Sequence, residues 1–167
     1  MNNSDLHSRK NNHLLRLFLF ILTVLWSSYL FAQTADFSGE WVQDNSKSDP
    51  YYRDYNVKLT ITQTPQAILI KTTFTDKNGR ESSSEESFTL DGKEIKKEEY
   101  GGINAESTSW SGDNQILTTK TTRTVGSEVY GSTSTYTMSD NGHTLTILTE
   151  DIKPGQPSLK QVLSKKE

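Results

Sequence analysis

The chain has 167 residues, 32% of them hydrophobic, no cysteine, and a formal charge of −3 from 18 basic and 21 acidic side chains. That length accommodates one domain. The lack of cysteine excludes disulfides, thiol nucleophiles and a lipid-modified cysteine tether, and the acidic balance argues against nucleic acid as a partner.

In chain order, Arg9, Lys10 and Arg16 outweigh the single acid Asp5, and an apolar run from Leu17 to Trp26 follows. These are the n-region and h-region of a secretory signal peptide, with cleavage expected after Ala32 or Gln33. An uncleaved anchor is the competing reading, but it needs about 20 consecutive apolar residues. Leu17 to Ala32 supplies 16, interrupted by Thr23, Ser27 and Ser28. The expected organisation is a signal peptide over 1–32 and one exported domain over 33–167, periplasmic or extracellular, with no stable membrane insertion after cleavage. Residues 1–32 carry three basic and one acidic side chain, so their removal leaves 15 basic and 20 acidic residues and a charge of −5.

Beyond Thr34 no apolar spacing of helical period persists over three turns, whereas alternation at period two recurs. Strands are expected over Phe37 to Gln43, over Val57 to Thr64 with Val57, Leu59 and Ile61 on one face, and over Ile68 to Thr75 with Ile68, Ile70 and Phe74 on one face. Their β-branched and threonine-rich composition suits a pleated, half-buried surface. Turn sequences such as Asn78-Gly79, Asp91-Gly92, Gly101-Gly102 and Asn141-Gly142 then divide the chain into short segments, as hairpins require. The fold class is all-β: an antiparallel up-and-down meander of about 8–10 strands, favoured as a barrel over a two-sheet sandwich because closure removes strand edges. The last strand is expected over Leu159 to Lys165. Glu81 to Ser87, Asn104 to Ser109 and Thr118 to Thr124 are strongly polar. They either face a wet lumen, in a barrel wider than side chains can fill, or form Ser/Thr ladders on an exposed sheet face.

The segment Asp36-Phe-Ser-Gly-Glu-Trp41-Val42 resembles the Gly-x-Trp opening strand of lipocalins and of lipocalin-like (calycin-type) secreted β-barrel proteins of bacteria. The resemblance implies that Trp41 plugs the base of the barrel. The terminal Gln161 to Lys166 is similar to the closing strand of small intracellular-type lipid-binding barrels, which makes Lys165 the basic residue expected across the tryptophan. The stretches Phe88 to Glu94, Trp110 to Leu117 and Tyr136 to Ile147 share the pattern, so it spans most of the chain after residue 33. A Thr-Asp-Tyr segment, a cysteine pair and a helix before the last strand, all found in lipocalins proper, are missing.

Reactive chemistry is sparse. After residue 33 there is one histidine, His143, in a turn, so a Ser-His-Asp arrangement would have to use it. No metal-binding or phosphate-binding motif is present, and no metal or cofactor is expected. Adjacent carboxylates such as Glu85-Glu86 point to opposite faces of a strand and cannot share a substrate. The reading is a non-enzymatic binding module for a small hydrophobic or amphipathic ligand; the alternative is a structural scaffold that meets an envelope protein partner. The candidate ligand residues are Tyr51, Tyr52 and Tyr55, in the long loop after the first strand, and Arg123, Tyr130 and Tyr136 inside the lumen. Tyrosines suit a lid or simply cap the mouth, and Arg123 would face a ligand carboxylate if it points inward, which alternation leaves open.

Overall fold

In the computed structural model, residues 34–139 and 141–166 are described. The expected signal peptide lies outside the described residues. Ten strands follow in chain order: β1 (Gly39–Gln43), β2 (Tyr55–Gln63), β3 (Ala67–Asp76), β4 (Glu81–Thr89), β5 (Ile95–Glu99), β6 (Gly102–Trp110), β7 (Ile116–Val125), β8 (Glu128–Met138), β9 (Thr144–Asp151) and β10 (Leu159–Lys165). The only helical element among the described residues is a short 3-10 turn, Pro50–Tyr52, inside the long first loop. No described helix is long and apolar enough to cross a membrane.

All pairings are antiparallel, and the strands form one sheet in the order β4-β3-β2-β1-β10-β9-β8-β7-β6-β5. This is the up-and-down meander, its two ends of chain joined by β1 and β10. The ladder does not close: β4 and β5 are the edges of the sheet and do not pair with each other. Charge protects these edges from foreign strands, through Glu81, Glu85 and Glu86 on one and Lys96, Lys97, Glu98 and Glu99 on the other. Toward one end of this seam the Thr108 hydroxyl of β6 donates to the Thr89 carbonyl of β4. That bond brings the sheet back on itself without β5.

Alternation decides what the sheet encloses. Val57, Leu59 and Ile61 from β2 and Ile68 and Ile70 from β3 are buried, with Leu117, Tyr136, Leu145, Ile147 and Leu163 from the strands beyond. The register places Leu117 opposite both Trp110 and Tyr136, and Leu145 opposite both Leu163 and Met138. Burial of these side chains, at about 25 cal/mol per Å² of apolar surface, is the main force available to a chain without cross-links.

The first strand starts two residues later than its pattern suggests, and the reason is local. Phe37 N–H donates to Gln63 Oε1 at 3.1 Å, and Gln63 Nε2 donates to the Ala35 carbonyl at 2.8 Å. The segment therefore turns beneath the sheet instead of extending β1. Phe37 is fully buried, stacked on Trp110 with ring centroids 6.0 Å apart and edge-on to Tyr136 at 6.2 Å. Trp41, also fully buried, donates its indole N–H to the Phe37 carbonyl at 2.9 Å. The Lys165 ammonium lies 5.2 Å from the centroid of the Trp41 ring, the arrangement the resemblance implied. Gly39 makes this possible: it adopts φ 136°, and a Cβ there would come within 2.7 Å of Lys165 Cε.

Candidate functional site

The end opposite this aromatic plug is organised by the loop between β1 and β2. Its backbone prolongs the edge of β10: Asp49 N–H donates to the Lys160 carbonyl at 2.9 Å, and Asp49 Oδ2 accepts from Lys160 N–H at 2.7 Å. Ser48 is buried, and its hydroxyl accepts from Val162 N–H at 3.0 Å and donates to the Asp44 carbonyl at 2.9 Å. Gln161 Nε2 donates to Gln43 Oε1 at 2.7 Å, and Gln43 Nε2 donates to the Tyr52 carbonyl at 2.8 Å. These bonds hold the loop in one place and aim Tyr52 inward.

Beneath the loop lies a cavity of about 200 Å³. Val57, Leu59, Ile70, Phe74 and Ile147 form its apolar wall. Tyr52, Ser134, Thr149 and Gln161 supply a polar side, with the Ser134 and Thr149 hydroxyls in contact at 3.0 Å. A second hollow of about 490 Å³ lies on the seam between β4 and the β5–β6 hairpin. Phe88, Ile95, Asn104 and Thr121 line it together with Lys97 and four carboxylates, Glu85, Glu86, Glu99 and Glu106. Glu86 belongs to the walls of both hollows. The unpaired seam thus gives the interior an opening on its flank.

The six residues singled out in the sequence separate in space. Tyr52 and Tyr136 both line the inner cavity. Tyr51 is 68% exposed, edge-on to Tyr52 with centroids 5.2 Å apart; Tyr55 is half-exposed and edge-on to Phe74. Tyr130 is half-exposed, with the Lys153 ammonium 4.1 Å above its ring. Arg123 shares the alternation of Leu117, Thr119 and Thr121, but its guanidinium is taken up locally. Its Nη1 donates to Asn104 Oδ1 at 2.9 Å, and its Nη2 donates to the carbonyls of Glu99 and Tyr100 at 3.2 Å each. It fastens the β5–β6 hairpin to β7.

Burial pushes the Tyr136 phenol up to about 12 from its ordinary 10.0, against the opposing effect of a hydrogen bond to Thr119. Below pH 10 the folded and unfolded chains both keep this proton. Between pH 10 and 12 the unfolded chain releases it while the folded one holds it, so stability falls as pH rises. Urea titrations across this interval are expected to show the decline, worth about 3 kcal/mol, and Tyr136→Phe is expected to remove that share of it.

Sequence reasoning left open that the polar strands holding Glu86 and Glu106 face a lumen, but it singled out neither residue, nor the serines and threonines of the cavity wall. Phe88 carried the signal: it is the one buried residue of β4, and counting back by two from it puts Glu86, Ser84 and Ser82 on the interior face. Among the described residues no cluster of three or more His, Cys, Asp or Glu could hold a metal ion.

No protein-family model and no curated protein sequence matches the chain. Among solved structures, it is similar to a secretary abundant heat soluble (SAHS) protein from Ramazzottius varieornatus, with a TM-score of 0.55 and 14% sequence identity over 80% of this chain and 98% of that chain. The likeness shows the fold: an all-β, antiparallel, up-and-down, lipocalin-like architecture, with the sheet here left open between β4 and β5.

Proposed function

We propose that this protein is a non-enzymatic binding module for a small, partly apolar ligand, exported by way of residues 1–32 to the periplasm or the extracellular space. The observation that carries the reading is the pair of hollows sharing Glu86, one walled by Val57, Leu59, Ile70 and Phe74, the other open through the seam. Small-molecule sites combine such an apolar wall with a few polar groups that fix orientation. Of the sequence candidates, Tyr52 and Tyr136 touch the ligand directly, while Tyr51, Tyr55, Tyr130 and Arg123 act at the rim. A flank opening suits a ligand that enters beside β4 instead of through the stapled loop.

A scaffold that meets an envelope protein is the second reading. It is favoured by Tyr100, 94% exposed at the tip of the β5–β6 hairpin, and by the two unpaired strand edges beside it. Native mass spectrometry of the protein purified gently from its own host separates the two. A single small-molecule adduct, released on unfolding, is expected for a binding module. A clean apo mass would sink that reading and leave the scaffold.

A further inference from the structure

Resting on that reading, we infer that the preferred ligand is a cationic amphiphile, with an ammonium group at Glu86 and an apolar chain directed into the cavity walled by Val57, Leu59, Ile70 and Phe74. The charges of the seam carry the argument. Four carboxylates and one ammonium line the outer hollow. Lys97 is ion-paired with Glu99, which leaves Glu85, Glu86 and Glu106 outside every ion pair among the described residues. Glu85 alternates with Glu86 and sits opposite Lys71 in the register, on the outer face of the sheet. Glu86 and Glu106 therefore set the field at the point where the outer hollow meets the inner one.

Glu86 is exposed and Glu106 half-buried, so an anionic headgroup placed there would be repelled by two carboxylates whose field added salt weakens. Arg123 is not among the residues that line either hollow, and three of its N–H donors are held by Asn104 and the carbonyls of Glu99 and Tyr100. An alkylammonium replaces water at Glu86 with a charge-assisted hydrogen bond. Its chain gains the transfer free energy of entering an apolar chamber. Both gains need the same molecule to span the shared wall, which selects an amphiphile over a free amine or a neutral alkane.

Calorimetric titration of the protein with decylamine, decanol and decanoate, each below its micelle concentration, tests this at neutral pH. Decylamine is expected to bind at least about tenfold more tightly than decanol, with decanoate weakest, and added salt should narrow the difference. Glu86→Gln is expected to bring the amine-to-alcohol affinity ratio close to one, and Glu106→Gln to lower it in part. Glu150→Gln removes the same charge from the outer face of β9 and should leave the ratio as in the parent protein; equal thermal melts establish that each variant is folded. Decanoate binding as tightly as decylamine, or an unchanged ratio in Glu86→Gln, would overturn the inference while leaving the binding module intact. Failure of all three probes to bind would overturn the inference, whereas the binding-module reading falls only with a clean apo mass of the host-purified protein.

Discussion

Trp41→Ala is expected to cost about 3–5 kcal/mol of folding stability, the range for removing a large aromatic side chain from a core, and a urea titration of the variant will show it as a lower midpoint with little change in slope. The indole is fully buried, and its N–H is the partner of the Phe37 carbonyl. Its loss leaves a cavity at the base and an unsatisfied carbonyl, and it releases Phe37, which otherwise packs on Trp110 and Tyr136. Lys165→Ala is the useful contrast. It removes the cation over the same ring but no buried volume, so the expected loss is only about 0.5–1 kcal/mol. Comparable losses in the two variants would mean that the base is held by the cation and not by the packing of the ring.

The parts of this fold that were legible in the sequence are those in which one strand face is apolar. In β2 and β3 the alternation of Val57, Leu59, Ile61, Ile68 and Ile70 fixes which side is buried, because a slip of one residue would expose every one of them. The last strand occupies the span its pattern indicated, Leu159–Lys165. In β4 the pattern Glu-Ser-Ser-Ser-Glu-Glu-Ser offers no such contrast, and Phe88 alone marks the interior. The pocket-facing role of Glu86 hangs on that one aromatic.

Two other features lie beyond local pattern. The staple that makes the first loop rigid joins Ser48 to Val162 and Gln43 to Gln161, across 114 and 118 residues of chain. Neither serine nor glutamine announces such a partner, since each also serves well in an exposed loop. The open seam is likewise a property of the whole sheet. A meander of ten strands can close or stay open with the same hairpins, and here the short β5 pairs only with β6. Arg123 illustrates how these levels combine. Alternation in a threonine-rich strand left its facing open, and the structure gives it Asn104 as its cross-strand neighbour in the register and as a hydrogen-bond acceptor.

Gly131→Val tests how tightly β7 and β8 are drawn together beside the seam. Gly131 has φ 145°, and a Cβ added to it would stand 2.1 Å from the Thr121 carbonyl oxygen and 2.8 Å from Thr122 Cα. These are backbone atoms of the neighbouring strand, so no rotamer change relieves the contact; the two strands must separate. A β-branched residue adds its own strain at a positive φ. The expected cost is about 3 kcal/mol or more, in the class of backbone-strain effects that exceed ordinary surface changes. Gly39→Ala makes the comparison sharp, because its positive φ is similar but its close neighbour is the tip of Lys165, which can swing away at small cost. Thermal melts that rank Gly131→Val well below Gly39→Ala would establish a backbone-limited site. The same separation of strands would widen the wall that Gly131 contributes to the outer hollow, so a variant that still folds should also bind decylamine more weakly than the parent. Equal stability of the two variants would mean that β7 and β8 can part there freely, and that the shape of the hollow is not set by Gly131.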